Sequence, residues 1–252
     1  MVGQDHGRTV APTPSRYPLA DGRVALVSGG NRGLGLQIVR TLAEQGMRVI
    51  LASRSVELGR VAIEQLDDLA DRVAVRQLDI TDPASVGRLA SWLDLQLGRC
   101  DVLVNNAAVL LEEDDDATTV DLDTVSRTLQ TNLLGTWRLA QAIVPLMRAR
   151  RRGRIVNVSS GLASLTWMRR GLAAYRVSKC AVNALTRSLA DELAEDGILV
   201  NACSPYPVRL ESFDRHGVVQ LSASGDTPVW LANLPDGGPT GRFYCGREPL
   251  EW

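Results

Sequence analysis

The sequence predicts an α/β protein with a parallel sheet in a single domain. Apolar runs of strand length alternate with stretches of helical period along most of the 252 residues, the mark of successive βαβ units. A glycine-rich turn joins the first such run to the first helix, as nucleotide-binding sheets require. The length is long for one domain by the usual prior, yet α/β chains of this size commonly form a single core.

The elements follow in order. "RVALVSG" reads as a first strand and "GLGLQIVRTLAEQG" as its helix, ended by Gly46. "RVILAS" is a second strand, followed by a helix over "SVELGRVAIEQLDDLA". "RVAVRQLDI" is a third strand, after which Asp82-Pro83 opens the helix "PASVGRLASWLDLQLG". "DVLVNNA" and "GRIVNVSS" are the fourth and fifth strands, with a helical crossover from about Leu122 to Arg150 between them. A long helix from Ala173 to Glu195 leads to "ILVNACSP" as a sixth strand. Thr227-Pro228 reads as an N-cap with proline at the first helical position, and "GRFYC" as a last strand. The first 20 residues read as a polar extension, and the acidic run "EEDDDA" at 112–117 as a solvated loop.

Composition removes several function classes. With 28 Lys plus Arg against 29 Asp plus Glu, the chain has no basic footprint for nucleic acid. No apolar run approaches the roughly 18 residues that span a bilayer, and the polar, proline-spotted start is not signal-like, so a cytoplasmic protein without membrane attachment is expected. Cys100, Cys180, Cys203 and Cys245 lack Cys-x-x-Cys spacing, which argues against zinc and gives no disulfide framework. His6 and His216 are the only histidines, too few for a histidine-based metal site or a Ser/His/Asp triad. No metal is expected.

The first strand runs directly into "SGGNRGLG" and then a helix. A strand, a glycine turn and a helix N-terminus make an anion site, because free N–H groups and the helix dipole both face the turn. The candidate contacts are Gly29, Asn31, Arg32, Gly33, Leu34 and Gly35, with glycines spaced Gly-x-x-x-Gly-x-Gly. About 20 residues on, where an acid would hold the ribose hydroxyls of NAD, stand Ser53 and Arg54. Arg54 and Arg32 both suit the 2′-phosphate of NADP, since charge-assisted pairs to phosphate are strong. NADP(H) is the expected cofactor, with Glu57 a competitor one helix turn away.

In "AAYRVSKCAV", Tyr175 and Lys179 stand four positions apart on one helix face. A phenol near its ordinary pKa of about 10 exchanges protons poorly near neutrality; a neighbouring ammonium favours its ionised form. Such a phenol can protonate a carbonyl oxygen as hydride arrives at carbon, or take the proton back in reverse.

"SGGNRGLG", "NNAA" at 105–108, Asn132 in "TNLLG", "IVNVSS" and "YRVSK" occur in the order and spacing of the short-chain dehydrogenase/reductases, and the chain resembles that family from about Arg23 to Pro205. "DTPVWLANLP" and "GRFYCGREPLEW" resemble the C-terminus of its NADPH-dependent carbonyl-reductase-like branch. The resemblance implies a doubly wound Rossmann-like domain with a sheet of about seven parallel strands and helices on both faces. It places the catalytic tetrad on Asn132, Ser160, Tyr175 and Lys179, with Ser159 the alternative to Ser160. Ser160 would stabilise developing alkoxide charge, Lys179 would also bind the nicotinamide ribose, and Asn132 would hold a water in a proton relay. Asp79 and Ile80 match adenine-contacting positions, and Asn106 and Ala107 positions beside the adenosine ribose. The segment "GLASLTWMRRGLAA" lacks the long insertion of monomeric carbonyl reductases, which implies a homodimer or homotetramer, and it sets Trp167 and Met168 beside the substrate or in packing.

After the sixth strand the resemblance fails. Pro205 and Val208 match cofactor-contacting positions, but Tyr206 stands where the family has glycine and Leu210 where it has threonine. The activity expected is reduction of a ketone or aldehyde by NADPH, or the reverse oxidation of an alcohol. The rewritten segment, residues 206–225, leaves two further readings: a biosynthetic enzyme for a bulky substrate, or an NADP(H)-binding protein impaired in turnover.

Overall fold

The computed structural model describes residues 22–113, 115–205 and 226–252. The N-terminal extension and the whole rewritten segment, with Tyr206, Val208 and Leu210, lie outside the described residues.

Strands β1 (Val24–Ser28), β2 (Arg48–Ser53), β3 (Val73–Gln77), β4 (Val102–Asn105), β5 (Gly153–Val158), β6 (Ile198–Cys203), β7 (Phe243–Cys245) and β8 (Glu248–Pro249) form one sheet in the order β3-β2-β1-β4-β5-β6-β7-β8. Seven strands are parallel as expected. The eighth is a two-residue antiparallel edge, too short for its sequence to announce.

Helices α1 (Gly33–Glu44), α2 (Val56–Glu64), α3 (Pro83–Leu97), α4 (Leu122–Leu129), α5 (Thr136–Arg148), α6 (Ala173–Glu192) and α7 (Asp226–Ala232) cover both faces. Alternation along the strands sorts the core into two layers. Leu26, Ile50, Leu103 and Ile155 pack with Leu89 of α3, Ile143 of α5 and Leu185 of α6. Val27, Leu51, Val104 and Val156 pack with Ile38 and Leu42 of α1 and Leu231 of α7. Both faces of the central strands are therefore apolar, which is why β1 and β2 read as continuous hydrophobic runs. No helix among the described residues is long and apolar enough to cross a membrane.

Several boundaries differ from the sequence expectation. The helix expected over 55–70 stops at Glu64, and Asp67–Arg72 form a 3-10 turn. The expected crossover helix divides: Gln130–Gly135 are wound as a π-helix between α4 and α5. Gly135 explains the close fit there, since a Cβ on it would come within 2.7 Å of Ile80 Cγ1. Thr227 is not an N-cap; α7 already includes Asp226, and Thr227 Oγ1 accepts a hydrogen bond from Gly246 N–H instead. Asp82-Pro83 does open α3, with the Asp82 carboxylate accepting from Ala84 and Ser85 N–H.

The connections place a crevice. From β1 the chain steps outward through β2 to β3, then returns to the other side of β1 as β4. The crevice beyond the C-terminal ends of β1 and β4 lies at that reversal, where open α/β sheets bind ligands.

Candidate active site

The turn after β1 is built to bring backbone close to backbone. Gly29 has φ +65°, and a Cβ there would lie 3.1 Å from Ala107 Cα. A Cβ on Gly35 would sit 2.2 Å from the Gly29 carbonyl oxygen and 2.6 Å from Asn106 Nδ2. Asn106 fills that space by donating to the carbonyls of Ser28 and Gly29 at 3.0 and 3.1 Å. Ser28 Oγ in turn accepts from the N–H groups of Asn106 and Ala107 at 3.0 and 3.1 Å. Asn106 and Ala107, expected beside a ribose, lock β4 to the glycine turn in this structure. Ser28 is a contributor that the motif reading missed, because a serine ending a strand carries no distinctive spacing.

The N-terminus of α1 is open to an anion. Its N-cap, Arg32, makes no side-chain capping bond, and the first turn holds no acid. The first intrahelical bond runs from Leu36 N–H to Arg32 O, so the N–H groups of Gly33, Leu34 and Gly35 face the crevice end of the helix without an intrahelical acceptor. Gly33 has nothing within 4 Å of where a Cβ would be, so the approach is clear. Asn31, half-buried, completes the turn. Arg32 and Arg54 are exposed and make no ion pair among the described residues, while Ser53 is buried beneath Arg54 at the end of β2. Glu57, the possible competitor, lies near Arg60 instead, 3.6 Å away. These residues fit a nucleotide bearing an extra phosphate.

Asp79 is half-buried, and its carboxylate accepts from the hydroxyl and N–H of Thr81. The Thr81 hydroxyl is the main cause holding its pKa below the ordinary value, with Arg54 adding a smaller Coulombic contribution. Ile80 is buried under the π-helix, where its side chain serves packing and its carbonyl accepts from Arg138 Nη1 at 2.6 Å.

Across the crevice, α6 presents Tyr175 and Lys179. The Lys179 ammonium lies 5.8 Å from the Tyr175 ring centroid. It is 3% exposed and donates to the Val158 carbonyl at 2.7 Å. Burial pulls its pKa down to about 8. The serine pair divides by environment. Ser159 is buried, and its Oγ donates to the Lys179 carbonyl at 3.3 Å. Ser160 is half-buried, and its Oγ accepts from Leu162 N–H at 3.2 Å, which leaves the hydroxyl proton to be donated outward. Trp167 is half-buried and Met168 exposed on the segment that follows. Pro205, buried, closes the described part of β6's exit.

Asn132 is fully buried within the π-helix. Its Oδ1 accepts from Val109 N–H at 2.8 Å, and its Nδ2 donates to Val109 O and Ser178 Oγ. Its side chain therefore fastens the segment after β4 to α6, and among the described residues its hydrogen bonds go to Val109 and Ser178, not to Lys179.

The acidic run is not simply a solvated loop. Glu112 is 6% exposed, and its carboxylate accepts from the N–H groups of Ala174 and Tyr175 at 3.0 and 2.6 Å. Asp116 accepts from Gly171 N–H and pairs with Arg170. The sequence held one signal for this: "RRGLAAY" has no Ser, Thr, Asp or Asn to cap the helix that follows.

The family model described as short chain dehydrogenase matches residues 23–216. Carbonyl reductase [NADPH] 3 of Homo sapiens is 34% identical, with 91% of this chain and 98% of that protein covered. (+)-Neomenthol dehydrogenase of Arabidopsis thaliana is 29% identical over 91% of this chain and 98% of its own length. A metagenomic short-chain oxidoreductase crystallised in complex with NADP superimposes with a TM-score of 0.76 at 28% identity, covering 88% of this chain and 96% of that one. The chain belongs to the short-chain dehydrogenase/reductase family and is carbonyl-reductase-like.

Proposed function

We propose that this oxidoreductase uses NADPH to reduce a ketone or aldehyde, and that the same residues support the reverse oxidation of an alcohol. The observation that carries the reading is the placement of a buried Lys179 ammonium beside Tyr175, with Ser160 at the end of the neighbouring strand.

The bare N–H groups of Gly33, Leu34 and Gly35 would hold the nucleotide's diphosphate, and Arg32 and Arg54 its 2′-phosphate. When bound, the nicotinamide supplies the hydride. Ser160 donates a hydrogen bond to the substrate oxygen and stabilises the charge that develops there. Tyr175 gives that oxygen its proton, so the phenolic O–H bond breaks as the alcohol O–H bond forms. Lys179 stabilises the resulting phenolate through its nearby positive charge. Asn132, its side chain engaged by Val109 and Ser178, would hold a water in the relay that returns the proton by way of Lys179. The similarity to carbonyl reductase [NADPH] 3 and to the oxidoreductase crystallised with NADP supports the choice of nucleotide. We assign the working form to a homodimer or homotetramer, which sedimentation at micromolar concentration would check.

Stopped assays of NADPH oxidation with a panel of aromatic and aliphatic carbonyls test the reading. Equal rates for wild type and Tyr175→Phe would remove the phenol from the mechanism.

A further inference from the structure

The first turn of α6 is held from outside the helix. An α-helix leaves its first N–H groups without intrahelical acceptors, and α6 has no capping side chain at Leu172, which sits in the left-handed region at φ +51°. Arg176 N–H makes the first bond within the helical turn, to Leu172 O. The three N–H groups before it are all taken by the segment after β4: Ala173 by the Asp115 carbonyl at 3.2 Å, Ala174 and Tyr175 by the two oxygens of Glu112. The same segment is fastened upstream by Ser28 at Asn106 and Ala107, and by Asn132 at Val109. The segment is therefore tied at one end to the glycine turn and at the other to the backbone of Tyr175 itself.

We propose that Glu112 is a positioning residue for the reaction, its buried carboxylate fixing the backbone of Tyr175 so that the phenol stays in register with Lys179 and Ser160. This rests on the reading of Tyr175 as the proton donor. Lys179, one helical turn further on, has its own anchor in the Val158 carbonyl, so loss of the carboxylate moves the phenol relative to an ammonium that stays in place. The nucleotide contacts on the β1–β2 side do not involve Glu112, so binding is spared while turnover is not. An ångström-scale misplacement of a reacting group is enough for a large loss of rate.

The test is a double-mutant cycle of Glu112→Ala with Tyr175→Phe, read as single-turnover oxidation of NADPH by 4-nitrobenzaldehyde with enzyme in excess. Glu112→Gln serves as a second variant that keeps the size and one acceptor oxygen. Residue-resolved amide exchange of Ala174 and Tyr175 accompanies it and needs no turnover. We expect exchange at both amides to quicken at least tenfold in Glu112→Ala. The single-turnover rate should fall at least tenfold in Glu112→Ala and by less in Glu112→Gln, with NADPH affinity within twofold of wild type. In the Tyr175→Phe background Glu112→Ala should cost less than twofold, because its effect passes through the phenol. Unchanged exchange overturns the proposal whatever the rates. Equal fold-losses in both backgrounds also overturn it, since they describe general destabilisation. Failure of the underlying reading looks different: there Tyr175→Phe alone matches wild type.

Discussion

The Lys179 ammonium donates to the Val158 carbonyl at 2.7 Å, so the long helix α6 is pinned to the last residue of β5, immediately before Ser159 and Ser160. That bond places the cation, the phenol and the serine hydroxyl at one end of the sheet. It also leaves a charged amine in a dry environment, which depresses its pKa to about 8.

A pH-dependent stability follows. Between pH 8 and about 10.5 the unfolded chain holds a proton at Lys179 that the folded chain has lost, so this group's contribution to stability rises with pH across that window. Below pH 8 both states are protonated and the full penalty is present, about 3 kcal/mol for a shift of this size. Lys179→Met should therefore be more stable than wild type at pH 7. The net gain should be about 1–2 kcal/mol, because the Val158 carbonyl loses its donor. Thermal melts of both proteins from pH 7 to 10 should show the gap closing; a constant gap would mean the amine is solvated.

The serine pair gives a discriminating substitution. Ser160→Ala removes the hydroxyl proposed to meet the substrate oxygen and should lower kcat by about 10²–10³. Ser159→Ala removes only a bond to the Lys179 carbonyl and should retain most activity. The opposite ranking would reassign the role to Ser159.

Tyr175→Phe should lower kcat by about 10²–10⁴, the range for a positioned general acid. NADPH binding, followed by fluorescence titration, should survive it.

Nucleotide choice is tested at the two arginines. Arg32→Ala and Arg54→Ala should each weaken NADPH binding by about 1.5–3 kcal/mol, the worth of a charge-assisted hydrogen bond, and change NADH binding little. Side-by-side titrations decide it, and equal effects on both nucleotides would show that neither arginine reads the 2′-phosphate.

Gly35→Ala probes the turn itself. The added Cβ would overlap the Gly29 carbonyl at 2.2 Å, so turn and helix must separate. Overpacking of this kind costs about 1–3 kcal/mol, which calorimetry should record as a lowered Tm together with loss of NADPH binding. Gly33→Ala, with nothing within 4 Å but φ +53°, should show strain without the clash and a smaller effect.

Local pattern alone determined the strands and the glycine turn. Alternation, glycine spacing and Asp82-Pro83 are written in contiguous residues, and both faces of the central strands are buried, so the apolar runs had a single structural meaning. Tyr175 and Lys179 were legible because a helix turn brings them together whatever surrounds it. Tertiary structure alone decided the rest. That Ser159 is buried against the Lys179 carbonyl while Ser160 stays half-buried depends on how β5 meets α6. The π-helix at Asn132 arises where Gly135 packs on Ile80, some 55 residues earlier in the chain. Glu112 appeared as one acid in a charged run, yet it lies against a helix start 62 residues away, where unsatisfied N–H groups draw a carboxylate into a buried position. Local chemistry is readable in sequence; which distant group answers an unsatisfied donor is fixed only when the chain has folded around it.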